Sequence, residues 1–408
     1  MTMDIQEAQL LDASDPLAFA RERFDLPAGT IYLDGNSLGA LPAAAPDELA
    51  EAQQQWRDDL IASWNKHGWI DWPTRIAAKL APIVGAKPSE LLIADSTSVV
   101  LFKLLGAAVG ARPGRRTILS QRANFPTDLY VAQGLAEMLG QALKTVAADE
   151  MLGAIDDDTA VITLTHVDYR GAAIHDMRAI NDAAHAAGAL TVWDLSHSAG
   201  AIELDLDGAG CDLAVGCCYK YLNGGPGAPA FLYVAESLQD ELRNPLQGWM
   251  GHAAPFAFVD DYRPAEGILK FLTGTPSILA LAALEAGLDT FAGIEIRDLE
   301  EKSRKLSELF VDEVEARCGA EVRLASPRDP ARRGSHVVLA HPDGYAVMQA
   351  LIGRGVIGDF RAPDLMRFGF APLYNRFEEM VRAAEILAEI LDSGEWDQPR
   401  FKARSKVT

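Results

Sequence analysis

Residues 90 to 235 alternate between short apolar runs and amphipathic segments, and that alternation limits the folds open to the chain. Leu91-Leu92-Ile93, Thr117-Ile118-Leu119-Ser120, Val161-Ile162-Thr163-Leu164-Thr165, Leu190-Thr191-Val192-Trp193-Asp194, Leu213-Ala214-Val215 and Phe231-Leu232-Tyr233-Val234 have the length and composition of buried strands. Helical patterns separate several of them: Val99–Gly110, a stretch after Asn124-Phe125-Pro126, and Asp176–Gly188, which Gly188 ends. Strand–helix–strand alternation predicts an α/β fold, with a mainly parallel sheet flanked by helices. A helical pattern from about Pro46 to Lys79 is broken by the aromatics Trp56, Trp64, Trp69 and Trp72. Past residue 276 the pattern changes to helices at Ser277–Phe291 and Ile294–Arg317, a strand at Val337-Val338-Leu339 and a helix at Arg376–Leu391. The division expected is a large domain over 46–276 and a smaller α+β domain over 277–408, which residues 1–45 join. The tail Gln398–Thr408, with four basic and no acidic residues, reads as a frayed end.

Charge bears on partners. The chain has 37 basic and 58 acidic residues, a net charge of -21. That sign disfavours nucleic-acid backbones and anionic membranes as partners, while leaving room for a small anion in a locally positive site. The four cysteines, at 211, 217, 218 and 318, are too few for a disulfide framework and lack zinc spacing, so no metal is expected. They read as reduced, buried thiols, which points to the cytoplasm. Residues 1–15 lack the basic start and apolar core of a signal peptide. No apolar run reaches the ~18 residues of a membrane span.

In open α/β sheets, ligands bind beyond the carboxyl ends of the strands. Ser96-Thr97-Ser98, Asn124–Asp128, Thr165, Asp194–His197 and Cys218–Asn223 all follow predicted strands. Ser96–Ser98 at a helix start is read first as an N-cap and second as an anion site. Asp194 can cap a strand end or pair with a protonated ring nitrogen of a cofactor. His197 alone is a hydrogen-bonding group. Tyr219-Lys220-Tyr221-Leu222-Asn223-Gly224-Gly225-Pro226-Gly227 is more specific: a lysine after an apolar strand can attack an aldehyde to form a Schiff base, and the glycines admit a bulky ligand.

An Asp 26 residues before a Lys, in this strand order, resembles the pyridoxal-phosphate enzymes of aminotransferase fold type I. Tyr32-Leu33-Asp34-Gly35-Asn36-Ser37-Leu38-Gly39, Phe125-Pro126-Thr127-Asp128, Asp194-Leu195-Ser196-His197-Ser198-Ala199-Gly200, Cys218–Gly225 and Pro372-Leu373-Tyr374-Asn375 together resemble the kynureninase family over nearly the whole chain. The resemblance implies a homodimeric hydrolase that binds pyridoxal 5'-phosphate and cuts L-kynurenine, or its 3-hydroxy form, to anthranilates and L-alanine in tryptophan breakdown. It implies that Lys220 holds the cofactor, that Asp194 pairs with its ring nitrogen and that Phe125 stacks on the ring, with Asp128 and His197 around it. Thr97, Ser98, Thr165, Tyr219, Trp249 and Thr275 become phosphate or ring contacts, some of them from the second subunit. Arg367, in Met366-Arg367-Phe368-Gly369-Phe370, becomes the fork that takes the substrate carboxylate, with Asn36, Ser37 and Trp64 as further substrate contacts. Trp72 reads as a packing residue. Gly274-Thr275 resembles bacterial forms that prefer unhydroxylated kynurenine. Tyr219, beside Lys220, is the candidate proton shuttle. Two alternatives stand beside this: a cysteine desulfurase-like lyase, which needs a mobile reactive cysteine, and a cofactor-binding protein without catalysis.

Overall fold

The computed structural model describes residues 2–404. Its centre is a seven-stranded sheet in the order Leu91–Ala94, Ala230–Val234, Leu213–Cys217, Leu190–Asp194, Thr159–Thr165, Thr117–Gln121, Ala142–Val146. Ala230–Val234 runs antiparallel to both its neighbours, and the other recorded pairings are parallel. Leu190–Asp194, Leu213–Cys217 and Thr159–Thr165 are buried along their whole length. That is why they read as continuous apolar runs: helices cover both faces. The edge strand Ala142–Val146 is partly exposed along its length. Lacking an apolar run, it has no sequence signal of the kind its neighbours carry.

The helices are set by local chemistry. Asp176 caps Met177–Ala187 by accepting from the Ala179 N–H at 3.0 Å, and Gly188 ends it in the left-handed region. Helix Ile278–Asp289 was expected to open the second domain at 277. It packs instead on helices Ala45–Asp59 and Trp72–Val84, and Leu281, Leu284 and Leu288 share a core with Ile76, Leu80 and Trp72.

A second core forms around helices Ile296–Cys318 and Phe377–Ser393 and a four-stranded antiparallel sheet. The strand order is Arg323–Leu324, His336–Ala340, Leu365–Gly369, Asp359–Arg361. The N-terminal segment is divided between the two cores: Ala8 and Leu33 lie in this one and Ile31–Tyr32 pairs with Val356–Ile357, while Leu17, Ala20, Phe24 and Ala40 lie in the first. The expected frayed tail is corrected in part. Pro399–Lys402 is helical and Phe401 is buried in the second core, while residues 405–408 lie outside the described residues.

Candidate active site

The parallel register sets Thr165 beside Asp194 and Asp194 beside Val215, so three strands end along one edge. The chain leaving Leu213–Cys217 delivers Tyr219 and Lys220 to that edge. Lys220 is 9% exposed, and its Nζ lies 3.3 Å from His197 Nε2 and 5.9 Å from the centre of the Phe125 ring. Asp194 Oδ1 accepts the Ser196 N–H at 2.8 Å, which fixes the carboxylate to its own turn. Asn124 Oδ1 accepts from both the N–H (3.1 Å) and the hydroxyl (2.8 Å) of Thr165, tying the Phe125 loop to the neighbouring strand end. The segment 34–39 closes over the lysine turn. The Gly39 N–H donates to the Tyr219 carbonyl at 2.8 Å, and a side chain at 39 would collide with Lys220 and Asn223 backbone, so only glycine fits.

Charge in this pocket is strongly biased. Burial, and then the Asp194 charge, hold the Asp128 carboxyl well above its usual range, so it carries a proton against Asp194. Burial, with Lys220 and His336 nearby, holds His197 well below the usual imidazole value, so its Nε2 accepts from the Lys220 ammonium. Burial, aided by Cys217 and Asp194, pushes the Tyr219 phenol upward, which makes it a proton donor rather than a base.

The second sheet faces this edge. Its strands alternate: Val337, Leu339, Met366 and Phe368 point into the second core, so the opposite face carries His336, Arg367, Gly369, Asp359 and Arg361. Gly369 pairs with Asp34, and any side chain on Gly369 would strike the Asn36 amide. The glycine of Met366-Arg367-Phe368-Gly369 thus lets the N-terminal segment bring Asn36 and Ser37 to Arg367.

Arg367 is 1% exposed, and its fork is not open as expected. Nε donates to Asp359 Oδ1 at 2.6 Å and Nη2 to Asp359 Oδ2. Nη2 also reaches Ser37 Oγ at 3.3 Å, and Nη1 donates to the Tyr169 carbonyl at 2.6 Å. Four of its five N–H groups are therefore engaged within the chain. The bidentate carboxylate grip expected from the sequence is already filled by Asp359. Burial opposes ionisation of Asp359, but the bonds from Arg367 and the charges of Arg367 and Arg361 outweigh it and hold the carboxyl below its usual range. Burial, and then Asp359, raise Asp34 to about 7.

His336 was missed by the sequence reading. Its ring centre lies 5.6 Å from that of His197, and the Tyr169 carbonyl lies beside it. Both polar atoms of the buried Asn36 amide are without partners among the described residues. Burial, and then Arg367, push the His336 imidazole down to about 3. The unfolded chain therefore binds a proton that the folded one does not between pH 6.5 and about 3, and stability falls as pH falls through that window. His336→Gln is expected to lower the slope of unfolding free energy against pH there by up to about 1.4 kcal/mol per pH unit, measured by urea unfolding. An unchanged slope would show that His336 is charged in the folded chain.

The other expected residues lie on separate elements. Thr97 and Ser98 open helix Thr97–Gly110, and the Ser96 side chain makes no capping bond, so the simple N-cap reading is corrected. Trp249 is 38% exposed and rests against Phe256 and Phe258, which are 63% and 79% exposed. Thr275 lines an exposed cleft with Asp95 and Pro229. Trp64, half-buried, packs edge-on against Trp69, which in turn meets the buried Trp72. The residues missed are Asp359, Arg361, His336 and Tyr169. Alternation around Phe360, Met366 and Phe368 was the available signal for the first two.

Residues 299–387 match the family described as the kynureninase C-terminal domain. The chain is 51% identical to a kynureninase of Pseudomonas fluorescens over 98% of both proteins. It is 49% identical to a kynureninase of Burkholderia mallei over 99% of both. Among solved structures it resembles a cysteine desulfurase of Thermococcus onnurineus (TM-score 0.79, 20% identity, covering 92% of this chain and 98% of that one). It also resembles a C-DES mutant with glycine covalently linked to its PLP cofactor (TM-score 0.78, 16% identity, 90% and 99% covered). These structural likenesses show the fold, which is the aminotransferase type I architecture.

Proposed function

The chain belongs to the kynureninase family, and from that premise we propose that it hydrolyses the Cβ–Cγ bond of L-kynurenine with pyridoxal 5'-phosphate held on Lys220. It is a pyridoxal-phosphate-dependent hydrolase acting on a carbon–carbon bond. One observation supports the substrate assignment: the buried lysine at the sheet edge and the buried arginine of the second sheet both act on His197 and His336, whose ring centres lie 5.6 Å apart. An amino acid with a ketone side chain presents an amine to the first and a carboxylate to the second.

The residues fit the cofactor. The uncapped first turn at Thr97 and Ser98 suits a phosphate, Phe125 offers a ring face, and Asp194 supplies a carboxylate for a ring nitrogen. The Asp128 oxygen that finds no partner among the described residues sits in the same pocket. When bound, pyridoxal phosphate supplies an electron sink for bonds at the substrate Cα and Cβ.

The chain's own residues then divide the work. Asp194 keeps the ring nitrogen protonated, and the protonated Asp128 keeps a second negative charge away from it. Lys220 Nζ takes the proton from the substrate Cα, while His197 Nε2, held neutral, accepts from the ammonium that results. Arg367 receives the substrate carboxylate. Water adds to the aryl ketone carbon, the Cβ–Cγ bond breaks, and its electron pair stays with Cβ. Tyr219 donates the proton that Cβ requires. Tyr219→Phe is expected to slow kcat by about 100-fold with KM little changed, measured by steady-state kinetics. Full activity would remove Tyr219 from this role.

Trp249 and Thr275 complete the site from a second copy in a homodimer. The exposed Trp249, Phe256 and Phe258 support this, since a surface cluster of that kind calls for a cover. The four free, buried cysteines accord with the cytoplasm. Among the described residues no helix is long and apolar enough to cross a membrane. A desulfurase needs an accessible thiolate, but burial raises the Cys217 and Cys218 thiols, and Cys318 lies in the second core. Purified protein with L-kynurenine should give equimolar anthranilate, read by fluorescence, and alanine, with no sulfide from L-cysteine. Sulfide without anthranilate would overturn the proposal.

A further inference from the structure

We propose that Asp359 is the positioning residue that aims Arg367, so that the substrate carboxylate is met by the one N–H of Arg367 left free among the described residues rather than by its fork. The inference rests on the reading of Arg367 as the carboxylate receptor. Asp359 takes Nε and Nη2 of Arg367 and is itself gripped from two further sides. Arg361 Nη2 lies 2.8 Å from Asp359 Oδ2, and the Ser37 hydroxyl donates to the same oxygen at 2.8 Å. The strand register sets Asp359 directly opposite Arg367, and Asp359 is 2% exposed.

A competitor for the fork would have to leave when substrate arrives. Departure of Asp359 would strip four donors at once, two on Arg367 and one each on Arg361 and Ser37, in a buried setting where unpaired charge is costly. The pair therefore stays formed. It locks the guanidinium plane, and the Tyr169 carbonyl fixes Nη1 from the other side. The carboxylate is thereby offered one donor in a fixed direction, which favours geometry over grip.

The test uses the holoenzyme and two ligands that differ only in the carboxylate, L-alanine and ethylamine. Binding of each is followed by the absorption of the bound cofactor. Asp359→Asn is expected to weaken L-alanine by about tenfold and the amine by less than about twofold. Asp359→Glu should recover part of the loss. Should Asp359→Asn fail to fold, Arg361→Gln, at a side chain 37% exposed, decides. It is expected to weaken L-alanine about threefold and spare the amine. Tighter L-alanine binding in Asp359→Asn would mean that Asp359 competes for the fork, and equal loss for both ligands would mean a structural role. Either result overturns the inference. Arg367→Met separates the two levels. If it leaves L-alanine binding unchanged, the reading of Arg367 fails. If it weakens L-alanine while the Asp359 and Arg361 variants do not, only the positioning role fails.

Discussion

Lys220→Ala is expected to yield a folded protein that releases anthranilate at least ~10,000-fold more slowly than the parent and lacks the absorption band of a lysine-bound cofactor. The loss is large because one amine does two jobs: it anchors the cofactor, and it is the base at the substrate Cα. The fold should survive. Among the described residues Lys220 Nζ has one hydrogen-bond contact, His197, and removing a buried cation relieves desolvation as much as it costs packing. The expected signature is unchanged thermal unfolding of the cofactor-free protein together with loss of the band and of turnover. Retained turnover would place the covalent chemistry elsewhere. An unfolded variant would make Lys220 a structural residue as well.

The second large effect is expected at Asp194. In Asp194→Asn the side-chain oxygen still accepts the Ser196 N–H, so the turn should hold, and what disappears is the negative charge facing the ring nitrogen. The expected cost is about 100- to 1,000-fold in kcat. The variant should also change its neighbour. Burial and the Asp194 charge hold Asp128 protonated, so removing that charge lets Asp128 ionise at lower pH and partly stand in. Residual kcat in Asp194→Asn should therefore rise with pH, and that rise should vanish in the double variant with Asp128→Asn. A flat pH profile in the single variant would mean that the two carboxyl groups act independently.

The sequence carried these residues because their signals are local. Lys220 and Asp194 follow apolar runs that were buried strands, and the rule that ligands gather at strand ends selected them before any resemblance was invoked. The remainder of the site was hidden for physical reasons. Asp359 and Arg367 belong to different strands, and only the antiparallel register makes them partners. Without that register Arg367 looked like an open fork. His336 sits in a strand whose inward neighbours are apolar, so its ring reads as one more core residue until Gly369 and Asn36 are placed beside it. Helix Ile278–Asp289 is mostly apolar, its Glu285 and Asp289 pairing with Arg75 and Lys79 of helix Trp72–Val84, and sequence pattern does not say which core such a helix joins. Trp64 meets Trp69 edge-on, and a substrate contact would use the part of its ring that this packing leaves.

The central claim is hydrolysis of a carbon–carbon bond next to an aryl ketone, and isotopic labelling reads it directly. With holoenzyme and L-kynurenine in water enriched in oxygen-18, the account predicts one labelled oxygen in the carboxylate of the anthranilate and none in the alanine, in equal amounts of the two products. Anthranilate without the label, or no anthranilate at all, would contradict it.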